Sequence, residues 1–185
     1  MTASRLADRL RTEGQEGNRP PELDIAIGIE SGEAFVGDAG VAQRFEYAAL
    51  GPPVANAGFL AAQSRYFGAS VVLGPGAANS VPDLAILELD LVRRPGQAPL
   101  PIYALLGDQS ITEDPAFQQL KTVHDSMLTH YRARRWTEAQ NALVPAREMA
   151  AGRLDALYDL YSGRIRAFRN APPPDDWDGS TPGGE

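Results

Sequence analysis

The chain lacks cysteine, and it has neither a long apolar run nor an excess of cationic residues. Without cysteine, neither a disulfide framework nor a thiolate metal site can form. No apolar stretch approaches the roughly 18 residues that a membrane span needs, and no signal peptide precedes the first predicted helix. The formal net charge of -7 argues against generic nucleic-acid binding, which needs a concentrated cationic face. We therefore expect a soluble, cytoplasmic protein with no membrane span and no nucleic-acid partner.

The remaining composition is that of a folded chain of modest size. Its 185 residues, of which 43% are hydrophobic and 22% charged, predict one globular domain with a small appendage. Three parts can be distinguished by their patterns. They are residues 1–108, a helical part over residues 113–170, and residues 171–185, where prolines, acids and glycines predict a disordered tail.

Residues 23–60 carry the most informative pattern. Every second residue over 23–29 is apolar, which is typical of a strand with one face on a core. A short turn at residues 31–32 separates this strand from a second apolar run at residues 34–36. We therefore predict a hairpin between the two runs.

A helix follows that hairpin. Pro52 and Pro53 fit its first turn, where the missing N–H of proline costs nothing, and apolar spacing extends the helix to about Phe67. Further apolar runs then predict three strands. These strands lie at residues 70–73, 84–92 and 99–103.

This succession resembles the class III nucleotide cyclase domain, the adenylyl and guanylyl cyclases. In that family a turn Gly-Ile-His-x-Gly precedes Val-Gly-Asn-x-Gly, an Arg-x-x-Tyr segment, and Gly-Asp-x-Val-Asn-x-Ala-x-Arg-Leu. The resemblance covers about residues 5–107 and implies an α+β fold, namely the later half of a ferredoxin-like sheet with covering helices. The residues that match without a gap are Gly28, Ile29, Gly32, Glu33, Val36, Gly37, Gly40, Arg44, Tyr47, Gly51, Val54, Ala57 and Leu60.

The same resemblance places the family's catalytic positions on side chains that cannot perform the chemistry. The Asp that helps select adenine, the Asn that orients the ribose and the Arg that stabilises the transition state correspond to Pro52, Ala55 and Phe59. Asn56 lies one residue too late, since one step along an α-helix turns a side chain by about 100°. Charge aimed at a reacting phosphorus is commonly worth several kcal/mol. We therefore expect no catalytic residue in this chain.

The family's metal ligands are not matched either. Its two divalent ions, Mg or Mn, are held by Asp residues in parts that precede the matched region. Asp24 and Asp38 occupy other positions, so neither a metal nor another cofactor is expected for the chain alone. For a nucleotide phosphate there are four candidates, whose plainer roles are turn geometry for the two glycines, a surface salt bridge for Arg44 and a solvated strand end for Arg94. They are Arg94 at the position of a family Lys, Gly37, Gly40 and Arg44.

The residues after 107 show helical periodicity. Apolar spacing predicts helices over 115–133, 136–150 and 154–168. The phrase over 131–139 is similar to the turn of a tetratricopeptide hairpin, but one hairpin and a third helix cannot form a solenoid. We expect these helices to pack on the sheet or on a partner.

Two details of this part remain open. His124 and His130 lie six residues apart, on different faces of one helix, so we do not expect them to bind a metal together. Both are predicted to be ordinary surface or boundary residues. A similar appendage ending in Pro-Pro-x-x-Trp-x-Gly follows the catalytic domain of bacterial sensor-linked adenylate cyclases. Trp177 is therefore either a docking aromatic or part of a solvated tail.

Class III cyclases work as dimers that share active sites across the interface. The resemblance therefore implies a cyclase-like module of cyclic-nucleotide signalling that is inactive on its own. It implies a homodimer, or a heterodimer with an intact cyclase domain, and ATP or GTP as the candidate ligand. Two alternatives stay open: a weak cyclase that acts only with a complementary chain, and a non-functional remnant of a longer adenylate cyclase gene.

Overall fold

The computed structural model describes residues 25–38 and 47–184. These residues have the mixed composition of an α+β fold, so the predicted fold class is confirmed. The elements in chain order are β1 (Ile27–Ile29), β2 (Phe35–Asp38), β3 (Tyr47–Leu50), α1 (Pro52–Phe67), β4 (Val71–Leu73), α2 (Pro75–Asn79), β5 (Ala85–Arg93), β6 (Leu100–Gly107), α3 (Gln109–Thr112), α4 (Pro115–Arg132), α5 (Trp136–Ala150), α6 (Asp155–Asn170) and β7 (Thr181–Pro182).

Five of the strands form one sheet in the order β1-β4-β6-β5-β7. The β1–β4 and β5–β7 pairs are parallel, and the two central pairs are antiparallel. β2 and β3 form a separate antiparallel pair, which we call the hairpin arm. No helix in the described part of the chain is long and apolar enough to cross a bilayer.

The predicted hairpin between residues 23–29 and 34–36 is wrong. β1 pairs in parallel with β4, from Ile27 opposite Val71 to Ile29 opposite Leu73. The second apolar run belongs to β2, which pairs with β3 instead. A parallel partner lies far along the chain and is brought alongside by a crossover, here α1, so the local turn at residues 31–32 carried no information about it.

α1 lies unusually close to β1. A Cβ atom built on Gly28 would lie 2.0 Å from the Ala57 carbonyl oxygen, so only glycine allows this approach. The helix begins after Gly51, has proline in its first turn, and ends at Gly68 in the left-handed conformation, with a φ of 69°. The defined helix ends and the close approach at Gly28 hold α1 in place as the crossover between parallel strands β1 and β4.

The C-terminal helices pack on the rest of the fold, which is one of the two expected arrangements. α4 packs on β5, α6 packs on α1 and bonds to β5, and α5 packs on α4 and α6. A single apolar core joins them to α1 and the sheet, so residues 113–170 do not form a core of their own. Buried members from each part are Leu60 and Phe67 of α1, Leu87, Leu89 and Ile102 of the sheet, and Met127, Tyr131, Leu143, Leu157, Tyr161 and Ile165 of α4–α6.

The C-terminal segment is packed on the sheet, in contrast to the disorder that its composition suggests. We call residues 174–184 the strap. Its strand β7 adds to the β5 edge, with Thr181 opposite Val92. The Trp177 ring packs among aromatic side chains, 5.5 Å from Tyr131 and 5.5 Å from Phe168 between ring centroids. Of the two roles left open for Trp177, the structure shows docking, within its own chain.

A buried carboxylate joins the sheet, α6 and the strap. Asp90 of β5 is 1% exposed and accepts hydrogen bonds from Arg164 Nη1 at 2.6 Å, Tyr161 Oη at 3.0 Å and Thr181 Oγ1 at 2.7 Å. The N–H of Leu91 donates to the same carboxylate at 2.8 Å. Burial, reinforced by the Asp90 charge, raises the pKa of Tyr161 well above its ordinary value, so its hydroxyl stays a donor.

Replacement of Asp90 tests how much this carboxylate contributes to stability. Asp90→Asn keeps the size of the side chain but leaves the Arg164 guanidinium, which is 12% exposed, without its counter-charge. We expect the free energy of unfolding to fall by about 3–5 kcal/mol, measured by urea denaturation with far-UV circular dichroism. The control Asp159→Asn breaks an ion pair of the same 2.6 Å length that is exposed to solvent, and should have only a slight effect. Similar losses in both variants would contradict this role for Asp90.

Two glycine substitutions test the seating of α1 on β1. Gly28→Ala should lower the free energy of unfolding by about 1–3 kcal/mol, because the new methyl group collides with the α1 backbone. Gly58→Ala on the same helix should raise it by about 0.5–1 kcal/mol, because its Cβ meets nothing within 4 Å and alanine is the better helix former. Thermal or urea denaturation would measure both. A neutral Gly28→Ala would show that the two elements are less closely packed.

Candidate functional site

Three of the residues singled out from the sequence meet at one place. Arg94, directly after β5, donates from Nη2 to Asn56 Oδ1 of α1 at 2.9 Å. Its guanidinium carbon lies 4.7 Å from the centroid of the Phe59 ring, a cation–π contact. We call Asn56, Phe59 and Arg94 the Arg94 site. Pro52 and Ala55 lie on the exposed N-terminal part of the same helix.

The turn after β5 places Arg94 at this site. Gly96 has a φ of 70°, and the N–H of Gln97 closes the turn on the Arg94 carbonyl oxygen at 3.1 Å. Arg93, one residue earlier in the strand, instead contacts Asp178 and Ser180 of the strap. The two neighbouring arginines therefore serve different contacts, as expected for residues that alternate along a strand.

The chemistry available at the Arg94 site is binding, not proton transfer. An arginine guanidinium stays protonated, so it cannot act as a base. The Arg94 Nε atom is buried without a hydrogen-bond partner, and within the described ranges Arg94 forms no ion pair. In the part of the chain that the structure describes, no group of His, Cys, Asp and Glu could hold a metal ion. The site offers one cation and one amide to an anionic ligand.

Of the other phosphate candidates, the structure describes only Gly37, which is not part of this site. Gly37 lies in β2 of the hairpin arm, and a Cβ atom built on it would meet nothing within 4 Å. No close backbone approach therefore requires glycine there. Gly40 and Arg44 lie outside the described residues.

A groove of about 890 Å³ lies on the other side of Asn56, between the hairpin arm, α1 and α2. Its charged side chains are Glu30 and Glu33. Glu30 Oε1 accepts the N–H groups of Ser31 at 2.9 Å and Ala77 at 3.0 Å. The carboxylate thereby caps the first turn of α2. Sequence reasoning missed this contact. The signal was the glycine at residue 74, where a Cβ atom would lie 2.1 Å from Glu30 Oε2.

A second groove, of about 490 Å³, lies between α4 and the β5–β6 face of the sheet. Its charged side chains are already paired: Glu88 with Arg132 at 2.5 Å, and Lys121 with Asp125 at 2.7 Å. Desolvation, together with the Glu88 charge, raises the pKa of Tyr103 in this groove. A ligand here would have to displace existing ion pairs, so this groove is the weaker candidate site.

His124 of α4 is completely buried, so its predicted surface or boundary position is wrong. Its Nε2 atom lies 2.7 Å from the Glu88 carbonyl oxygen, and its Nδ1 atom lies 3.1 Å from Tyr158 Oη. A carbonyl oxygen only accepts, so Nε2 carries the proton and Nδ1 accepts from the tyrosine hydroxyl. The burial of His124 was not predicted because histidine counts as polar in a helical pattern, whereas an imidazole with both nitrogens hydrogen-bonded can be buried like an apolar side chain.

Comparison with known proteins gives no family assignment: no protein-family model matches the chain, and a search of curated proteins finds no significant match. The cyclase resemblance therefore stays a prediction that rests on the residues quoted for it.

The burial of His124 predicts a pH dependence of stability. Burial lowers the pKa of His124, an effect that outweighs the hydrogen bond to the Glu88 carbonyl. The unfolded chain therefore binds a proton more readily than the native one. Stability should be full above the ordinary histidine pKa of about 6.5 and fall as the pH drops below it.

His124→Gln tests this dependence. The variant should be less stable than the wild type at pH 7, because it loses the paired imidazole, yet its stability should change less between about pH 5 and pH 7. Urea denaturation at a series of pH values gives both slopes. Equal slopes in the two proteins would show that His124 does not account for the acid sensitivity.

Proposed function

We propose that this chain is a cyclase-like partner-binding module of cyclic-nucleotide signalling, and that it does not turn over nucleotide by itself. The observation that carries the proposal is the exposure of apolar side chains on the hairpin arm. Phe35 is 85% exposed, Val36 65% and Leu50 62%. Large apolar groups exposed together are the usual sign of a protein interaction surface.

The geometry of the hairpin arm strengthens this argument. Phe35 lies opposite Leu50 in the ladder, so the two share one face, while Val36 and Ala49 form the next pair and lie on the other face. A two-stranded ribbon on its own is marginally stable in water. Both faces of this arm therefore gain from cover that another protein would supply.

The partner that the resemblance implies is another class III cyclase domain. Members of that family pair with one another, and the arm lies within the matched region of this chain. We take an intact cyclase domain as the partner. Pairing with a second copy of this chain is the other outcome of the same experiment.

Lack of independent turnover is supported by the side chains at the matched catalytic positions. Proline, alanine and phenylalanine at 52, 55 and 59 supply no charge to a transition state. The nearby Arg94 stacks on the phenylalanine and donates to Asn56. A cation held in this way can attract a phosphate, but without a base and a metal it does not activate a ribose hydroxyl.

The direct test is cyclic-nucleotide production from ATP and from GTP with Mn²⁺, by the purified chain alone and mixed with an intact class III cyclase domain. We expect no product from the chain alone and altered turnover in the mixture. Product from the chain alone would overturn the inactive-module proposal. Unchanged turnover together with no complex in analytical ultracentrifugation would overturn partner binding.

Substitutions in the arm locate the interaction. Phe35→Ser with Leu50→Ser should abolish the effect in the mixture, because it removes one apolar face of the arm. Val144→Ser changes a side chain of α5 that is 48% exposed and should leave the effect intact. Product that forms only in the mixture and is lost in Arg94→Ala would instead favour the weak cyclase that needs a complementary chain.

A further inference from the structure

The strap lies on the rest of the fold as an extended peptide lies in a recognition groove. The groove follows the β5 edge and is bounded by side chains of α1, α4 and α6. Strap residues pack closely against its walls: a Cβ atom on Gly179 would lie 2.9 Å from the Arg132 side chain, and one on Gly184 would lie 2.5 Å from the Tyr66 ring. Glycine is therefore required at both positions.

Two side chains anchor the strap. The Trp177 ring packs against Tyr131, Trp136 and Phe168, while its Nε1 atom donates to the Ser180 carbonyl oxygen at 2.8 Å. The Thr181 hydroxyl, four residues later, donates to buried Asp90 at 2.7 Å. Trp177 is recognised by the shape of its pocket and Thr181 by a hydrogen bond to a buried charge. The groove therefore favours peptides that carry these two side chains at this spacing.

The backbone of the strap is recognised as well. β7 adds two residues in parallel to β5. The Gln63 side chain, which is 1% exposed, donates from Nε2 to the Gly184 carbonyl oxygen at 3.1 Å and accepts the Gly184 N–H on Oε1 at 2.8 Å. Both ends of a buried side-chain amide thus bind the backbone of one strap residue, Gly184. This combination of strand addition and side-chain pockets is a recurring mode of peptide recognition.

The strap is held at its margin by contacts that can open. Pairing with the sheet involves only two residues, and the Arg93–Asp178 ion pair leaves 55% and 39% of its side chains exposed. When the strap detaches, Gln63 loses its hydrogen bonds to Gly184, and Asp90 loses its hydrogen bond from Thr181. Buried polar groups without partners are costly, so the opened groove favours a ligand that restores them.

We propose that this groove is a peptide-recognition site, that the strap is its resident ligand, and that it also accepts the strap of a second copy of this chain. The ligand pattern is Trp-x-Gly-x-Thr-x-Gly-Gly, as at residues 177–184. A second copy carries the same residues, so exchange preserves every contact described. This proposal does not depend on the hairpin arm or on the proposed function.

The first experiment uses a fluorescent synthetic peptide with the sequence of residues 172–184 and the full chain carrying Trp177→Ala and Thr181→Ala, which weaken the attached strap. We expect this chain to bind the peptide at least tenfold more tightly than the wild-type chain. An attached strap competes at an effective concentration on the order of mM. Fluorescence anisotropy gives both affinities.

Matched controls define specificity. A peptide with valine at the Thr181 position, and Gln63→Leu added to the weakened chain, should each lower affinity at least tenfold. If the weakened chain keeps its far-UV circular dichroism but binds the peptide no better than the wild type, or binds a scrambled peptide equally well, the recognition site is overturned.

The second experiment keeps every groove and strap residue and tests the second copy as the source. Deletion of residues 171–173 shortens the connection from α6 to the strap, so the strap no longer reaches its own groove. We expect a dimer in analytical ultracentrifugation, and a monomer when Trp177→Ala and Thr181→Ala are added. Both are measured with Phe35→Ser and Leu50→Ser present, which removes pairing through the hairpin arm. A shortened chain that stays monomeric would overturn strap exchange.

Discussion

The carboxylate of Asp90 is the group on which the arrangement of sheet, helices and strap depends. Removal of a charge from water is costly, and here the cost is offset by an arginine, two hydroxyl groups and a backbone N–H at hydrogen-bond distance. These donors come from β5 itself, from α6 and from the strap. An apolar contact would tolerate sliding of these parts, whereas the Asp90 contacts fix their register.

A local irregularity of β5 makes this burial possible. Strand residues ordinarily alternate between the two faces, yet Leu89 and Asp90 are both buried. The β5–β6 register shifts between Glu88 and Asp90, which is how a bulge turns one side chain from its regular direction. The bulge thereby lets one strand supply both an apolar side chain to the core and a carboxylate to α6 and the strap.

Sequence reasoning was accurate where structure is local. The long helices and strands β4 to β6 lie close to their predicted positions, because periodicity and proline or glycine at the ends act within one element. The partner of β1 was missed, because a parallel pair depends on residues far apart in the chain. The strap was missed because its composition is polar and rich in proline and glycine, whereas its packing depends on two anchors, Trp177 and Thr181.

The candidate site shows the same division. Arg94, Asn56 and Phe59 were each singled out from the sequence, but their mutual contact required the β5–β6 turn and the crossover of α1 to be known together. Capping of α2 by Glu30 was not foreseen, since it joins a loop to a helix 47 residues away. Position along an element can be predicted from pattern, while contact between elements needs their three-dimensional arrangement.

The aromatic cluster around the strap has an optical consequence. Both tryptophans of the chain, Trp136 and Trp177, belong to it, with ring centroids 6.1 Å apart. Intrinsic tryptophan emission from this protein therefore reports one corner of the molecule, where the strap meets α5, while the far-ultraviolet signal reports the helices as a whole. If tryptophan emission changes before the helical circular-dichroism signal is lost, that change reports detachment of the strap, and no added label is needed.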